Sequence, residues 1–200
     1  MLERTFSKSS TGNYKEKSSS FHAIGESSSS IDQIKASLLK LKDEFSDASH
    51  ICYAYRIKQD KSLDEFASDA GEPKGSAGLP ILNVLKRMKL VDSAIFVMRY
   101  FGGTKLGVPG LIHAYGAAAE DVVKHAKLKP WVQLCTLLIM YQYEVQKQVE
   151  SVLKQHDAII IQQNFTEAIE TTIEISASIR EDFIVQLEQI TNGTIHLNKV

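Results

Sequence analysis

Two short stretches hold most of the side chains that could do chemistry. Residues 99–115, RYFGGTKLGVPGLIHAY, set Arg99, Lys105 and His113 among Gly102, Gly103, Gly107 and Gly110, and residues 68–82, SDAGEPKGSAGLPIL, set Asp69, Glu72 and Lys74 in a Gly/Pro turn. A glycine-rich loop that opens a helix leaves backbone N–H groups unpaired at the helix's positive end, and cations nearby add to the attraction for an anion of phosphate size. The same glycines also serve tight turns and close helix packing, so spacing alone leaves both uses open. Asp69 and Glu72 could hold a divalent ion or act as acid and base, although carboxylates in such a turn more often accept from nearby N–H groups. His50 is the other acid/base candidate, and a half-buried imidazole bonded to backbone is the plainer alternative.

Other chemistries lack their residues. Neither Gly75 nor Gly107 is followed by Lys and a hydroxyl residue, and no G-x-G-x-x-G is present, so familiar nucleotide binding is not expected. Ser76 lies in G-S-A-G rather than the nucleophile elbow G-x-S-x-G, and capping the next helix is its simpler role. The six histidines form no H-x-x-x-H or H-E-x-x-H pair, and Cys52 and Cys135 form no C-x-x-C, so no metal or cofactor is expected.

The elements that must position these groups follow from periodicity. A strand is expected over 94–99, then the loop, then a helix whose Leu111, Tyr115, Ala118, Val122 and Ala126 recur at helical spacing, with Pro109 near its start. In a strand over 50–58, alternation puts His50 and Arg56 on one side of the sheet and Tyr53 and Tyr55 on the other. Residues 59–72 read as loop, followed by a helix begun by Pro80 that buries Ile81, Leu85 and Met88. Earlier, residues 1–13 read as flexible, 21–24 as a strand, and Ser30 with Gln33 as a capping box for a helix ending near Asp47. Lys129-Pro130 marks a boundary, giving domains 1–128 and 129–200. The second reads strand, helix, strand, strand, helix, strand, the ferredoxin-like β-α-β-β-α-β order, with Asn192-Gly193 ending its last helix.

RYFGGTKLG followed by GLIHAY resembles the signature of the YigZ/IMPACT family. SDAGEPKGSAGLPIL resembles the family's second block, and HICYAYR (50–56) its histidine-cysteine-tyrosine strand. The resemblance implies an α+β protein: an N-terminal ribosomal-protein-domain-2-like α/β sandwich, related to domain IV of elongation factor G, and a C-terminal domain similar to domain V of that factor. Both relatives act on the ribosome. It therefore implies a non-enzymatic RNA- or ribosome-associated protein linked to translation regulation, with Arg99, Lys105 and Lys74 meeting phosphates and either Tyr53 and Tyr55 or Tyr100 and Phe101 stacking on bases, core packing being the plainer role for Tyr53 and Tyr55. The alternative is a hydrolase acting on a small anionic or peptide substrate at the loop, with Glu72 or His50 as base. Against the family pattern, Ser20, Leu79 and His113 stand where arginines are usual, and Ala70 where a second Asp is usual.

Composition bounds the rest. With 44% hydrophobic and 24% charged residues, 200 residues suit one large or two small globular domains. Net charge is −1 overall, +3 for residues 1–128 and −4 for 129–200, which assigns any polyanion contact to the first part. No apolar stretch suggests a signal peptide or a membrane span, so a cytoplasmic protein without membrane partners is expected, and no motif points to sequence-specific DNA recognition.

Overall fold

The computed structural model describes residues 2–59 and 62–199 and divides into two compact units, 1–131 and 132–200. In the first unit, β2 (Ser10–Glu16), β3 (Ser19–Ser27), β4 (His50–Lys58), β5 (Leu63–Ser68) and β6 (Ser93–Tyr100) form an antiparallel sheet in the order β2-β3-β6-β4-β5. Central β6 reads SAIFVMRY and is buried on both faces, as a strand covered by helices on each side must be. Ile95 and Val97 pack with α2 (Gly78–Arg87) and α3 (Gly107–His125), whereas Ala94, Phe96 and Met98 pack with α1 (Ile31–Glu44). Alternation assigns Arg99 to the same face as Ile95 and Val97, beneath α3, and places it opposite His50 of β4.

The first residues are ordered elements rather than a flexible tail. β1 (Arg4–Phe6) pairs with β7 (Leu128–Pro130), and β2 is an edge strand held by β3 and α3. Lys129 and Pro130 therefore belong to the first unit, and Trp131 docks there by donating from Nε1 to Asp92 at 2.6 Å. Part of the expected 59–72 loop is β5, which forms a hairpin with β4; residues 60 and 61 lie outside the described residues. The Ser30 Oγ cap on Gln33 N is present at 3.3 Å, but the Gln33 side chain accepts from Ser29 N. Tyr55 is buried and Tyr53 half-buried against Phe96, so both serve packing.

The second unit has the ferredoxin-like order β8 (Leu134–Tyr141), α4 (Gln146–Gln155), β9 (Ile159–Phe165), β10 (Ile169–Ser176), α5 (Arg180–Ile190) and β11 (His196–Lys199). Its antiparallel sheet runs β11-β8-β10-β9, and alternate residues Ile169, Ile173 and Ile175 share a core with Phe183 and Leu187 of α5. Asn192 and Gly193 take the left-handed conformation just beyond α5.

One glycine fixes how the chain leaves β6. A Cβ on Gly102 would land on the carbonyl oxygen of Ser18, a backbone atom that cannot swing aside. Gly102→Ala is therefore expected to displace the 101–107 loop and lower the urea midpoint, while Gly103→Ala, at φ +85 with no neighbour within 4 Å, costs only its backbone strain of about 1 kcal/mol. Equal midpoints for the two variants would contradict the close approach.

Candidate functional site

Arg99 is the residue whose environment differs most from the expected exposed cation. Its side chain is 7% exposed, and Nη1 donates to Glu72 Oε1 at 2.6 Å. The same oxygen accepts from the Tyr115 hydroxyl at 2.8 Å, and the Tyr115 oxygen lies 3.3 Å from Cys52 Sγ. The guanidinium sits over Phe21 at 5.7 Å and Phe101 at 5.5 Å from the ring centroids. Arg99 thus spends much of its charge inside the protein, and Glu72 is an ion-pair partner rather than a free base. Arg99 Nε is buried with no hydrogen-bond partner among the described residues. Burial pushes the Tyr115 phenol far above its ordinary range and the Cys52 thiol up to about 12, so both stay protonated at neutral pH and Tyr115 acts as a donor.

Asp69 is the carboxylate that caps. Its Oδ1 accepts from the amides of Ala77 at 3.0 Å and Gly78 at 2.9 Å, and Oδ2 accepts from Gly75 at 2.7 Å. Burial alone would raise its pKa; the three amides, of Gly75, Gly78 and Ala77, outweigh that and hold it below the usual carboxylate value. Ser76 does not cap α2: its hydroxyl donates to Pro73 O at 2.7 Å, and the helix begins at Gly78 rather than at Pro80. Among the described residues no group of three His, Cys, Asp or Glu could hold a metal ion.

These parts border a cleft of about 550 Å³ lined by His50, Glu72, Arg99, Phe101, Lys105 and the first turn of α3. Pro73, Leu106 and Leu111 make much of its wall apolar. His50 Nδ1 lies 2.9 Å from the Ala70 carbonyl, the backbone-bonded alternative; since a carbonyl only accepts, Nδ1 carries the proton, and Nε2 has no hydrogen-bond partner among the described residues. The α3 start has no side-chain cap. Among the described residues, the amides of Gly103, Thr104, Lys105, Leu106, Gly107 and Val108 find no acceptor in the protein, while those of Phe101 and Gly102 donate to Ser49 and Ser19 hydroxyls. Gly103 and Gly107 take φ +85 and +71, which lets the chain turn into the helix.

The remaining candidates fall elsewhere. Lys105 is exposed, lines the cleft and has no ion-pair partner among the described residues. Lys74 is exposed in the turn but does not line the cleft. His113 faces β2, its ring edge-on to Tyr14 at 5.6 Å, and Gly110 sits inside the first helical turn, so neither borders the cleft. Tyr115 was legible only as part of the buried helical stripe; its partnership with Glu72 has no local signature.

The Impact N-terminal domain matches residues 17–123, and a domain of unknown function, DUF1949, matches residues 143–194. The chain belongs to the IMPACT family. The IMPACT family member YvyE of Bacillus subtilis is 32% identical over 157 residues, 77% of this chain and 70% of that relative. A crystal structure of a hypothetical protein covers 100% of this chain and 98% of its own at 25% identity and a TM-score of 0.73, which supports the two-unit α+β fold. The two-domain translational regulator Yih1 covers 63% of this chain and 48% of its own at 28% identity, with a TM-score of 0.36 that says nothing of this chain's fold or role. No helix among the described residues of this IMPACT family member is long and apolar enough to cross a membrane.

Two outcomes are expected. Arg99→Ala or Glu72→Ala, each leaving a buried charge unpaired, should cost about 3–5 kcal/mol in urea unfolding followed by the fluorescence of Trp131, whereas the joint replacement Arg99→Met with Glu72→Leu should cost far less. Asp69→Asn turns one accepting oxygen into a donor facing an amide and should cost about 1–3 kcal/mol at neutral pH. Because the native Asp69 carboxyl is depressed, its stabilisation is present above the ordinary carboxylate pKa and is lost as pH falls through the folded value. The gap between wild type and Asp69→Asn should therefore close below about pH 4, and a gap independent of pH would reject the assignment.

Proposed function

We propose that this chain is a non-enzymatic RNA- or ribosome-associated protein linked to translation regulation, and that the cleft at the start of α3 holds a phosphate of the RNA backbone. The observation that carries this reading is the run of six amides from Gly103 to Val108 with no acceptor among the described residues, at the N-terminus of a 19-residue helix; of these residues, Lys105 to Val108 line a cleft that is also lined by Arg99, whose buried Nε has no hydrogen-bond partner among the described residues. Oriented N–H groups at a helix start attract phosphate oxygens, and a buried orphan donor gains a bond when an acceptor arrives. Lys105 adds an exposed cation with no ion-pair partner among the described residues. The resemblance of both units to domains that work on the ribosome supports the same direction.

A hydrolase has less support from the geometry. Glu72 Oε1 already accepts from both the Arg99 guanidinium and the Tyr115 hydroxyl, so that oxygen is committed to the protein's own donors. Asp69 is occupied by three amides.

Lys105→Ala should weaken RNA retention in filter binding, and ribosome co-sedimentation at two salt concentrations should show the slope of log K against log salt flattened by about 0.7–0.9. Lys105 is the appropriate cation for this test because replacing Arg99 also costs stability. Unchanged affinity and slope, with the Trp131 signal intact, would reject the site.

A further inference from the structure

The cleft contains more than an anion trap. Phe101 follows β6 directly and is 48% exposed, an unusual position for a large aromatic ring that lines a cavity. The Arg99 guanidinium lies 5.5 Å from its centroid and is itself fixed by Glu72, so the ring is supported on a rigid cation while much of its surface stays in water. His50 lines the same cleft, and because its Nδ1 is committed to Ala70 the acceptor of its neutral ring is Nε2. Apolar Pro73, Leu106, Val108 and Leu111 complete the lining. A phosphate alone has no use for an aromatic surface, an apolar wall or a hydrogen-bond acceptor.

We infer that the cleft takes one unpaired nucleotide of a single strand, its phosphate on the α3 amides and its base on Phe101. This rests on the phosphate reading above and narrows it to single-stranded RNA. Every nucleobase has a π face for Phe101 and an N–H on its pairing edge for His50 Nε2. In a duplex that N–H is already donated and the face is already stacked, so only an unpaired base can use both groups. A cavity of about 550 Å³ has the size of a small-molecule site and admits a single nucleotide, not a helix. Recognition by stacking is tolerant of sequence, so little preference among bases is expected.

Fluorescence anisotropy tests this with the full chain and a fluorescein-labelled single-stranded RNA of about ten nucleotides, compared with the duplex it forms with its complement. Wild type should bind the single strand more tightly. Phe101→Ala should weaken single-strand binding roughly 5- to 150-fold and leave duplex binding unchanged, whereas Lys105→Ala should weaken both. Phe101→Leu keeps the apolar volume without the aromatic face and should lose most of the same preference, so the test survives if the alanine variant folds poorly. Equal wild-type affinity for the two forms, or a Phe101→Ala loss shared by both, would overturn the unpaired-nucleotide inference and leave the phosphate reading standing. Binding to neither form would overturn both.

Discussion

The buried contact between Arg99 and Glu72 constrains everything around it. A guanidinium on the α3-covered face of β6 cannot be desolvated without a counter-charge, so the 68–77 turn must bring Glu72 across to meet it at 2.6 Å. Asp69 makes that turn rigid by gathering three amides, and Tyr115 ties the same carboxylate to the middle of α3. Strand, turn and helix are locked together by four polar side chains, Arg99, Glu72, Asp69 and Tyr115. Just outside that lock, the amides of residues 103–108, leading into the first turn of α3, find no acceptor among the described residues, whereas those of Phe101 and Gly102 are taken by the Ser49 and Ser19 hydroxyls.

The distribution of charge follows from the same contact. Arg99 and Glu72 cancel, and the negative charge of Asp69 is spread over N–H dipoles. The remaining attraction for an anion comes from backbone dipoles at α3 and from Lys105 at the rim. Ser20, Leu79 and His113 add no arginine to it: Ser20 pairs across from Tyr100, Leu79 is exposed on α2, and His113 packs on Tyr14. A site built mainly on amides favours a single well-placed phosphate over the diffuse hold of a basic surface, in keeping with the modest +3 of residues 1–128.

Much of this was readable from residue order, and the misses have physical causes. The strong alternation of β10 and the helical stripe of α3 announced their elements, because one buried face leaves a period in the sequence. β2 and β5 left no such period: both are edge strands, STGNYKE is mostly polar and LDEFAS is half polar without alternation, and each is stabilised by the neighbour it pairs with. The burial of Arg99 was implicit in its parity with Ile95 and Val97. Its partner was not, since Glu72 lies 27 residues away in a turn whose path local spacing does not specify. The glycine loop was visible as composition, but whether its amides were free depended on where residues 18, 19 and 49 came to rest.

Amide chemical shifts test the central claim most directly. Titrating the ¹⁵N-labelled protein with a single-stranded oligoribonucleotide should move the amide resonances of Gly103, Thr104, Lys105, Leu106, Gly107 and Val108 together, with those of Glu72, Asp69 and Gly75 unmoved because their contacts persist. Shifts confined to other surfaces, or a response of Glu72 that shows the Arg99 pair opening to receive the phosphate, would contradict it.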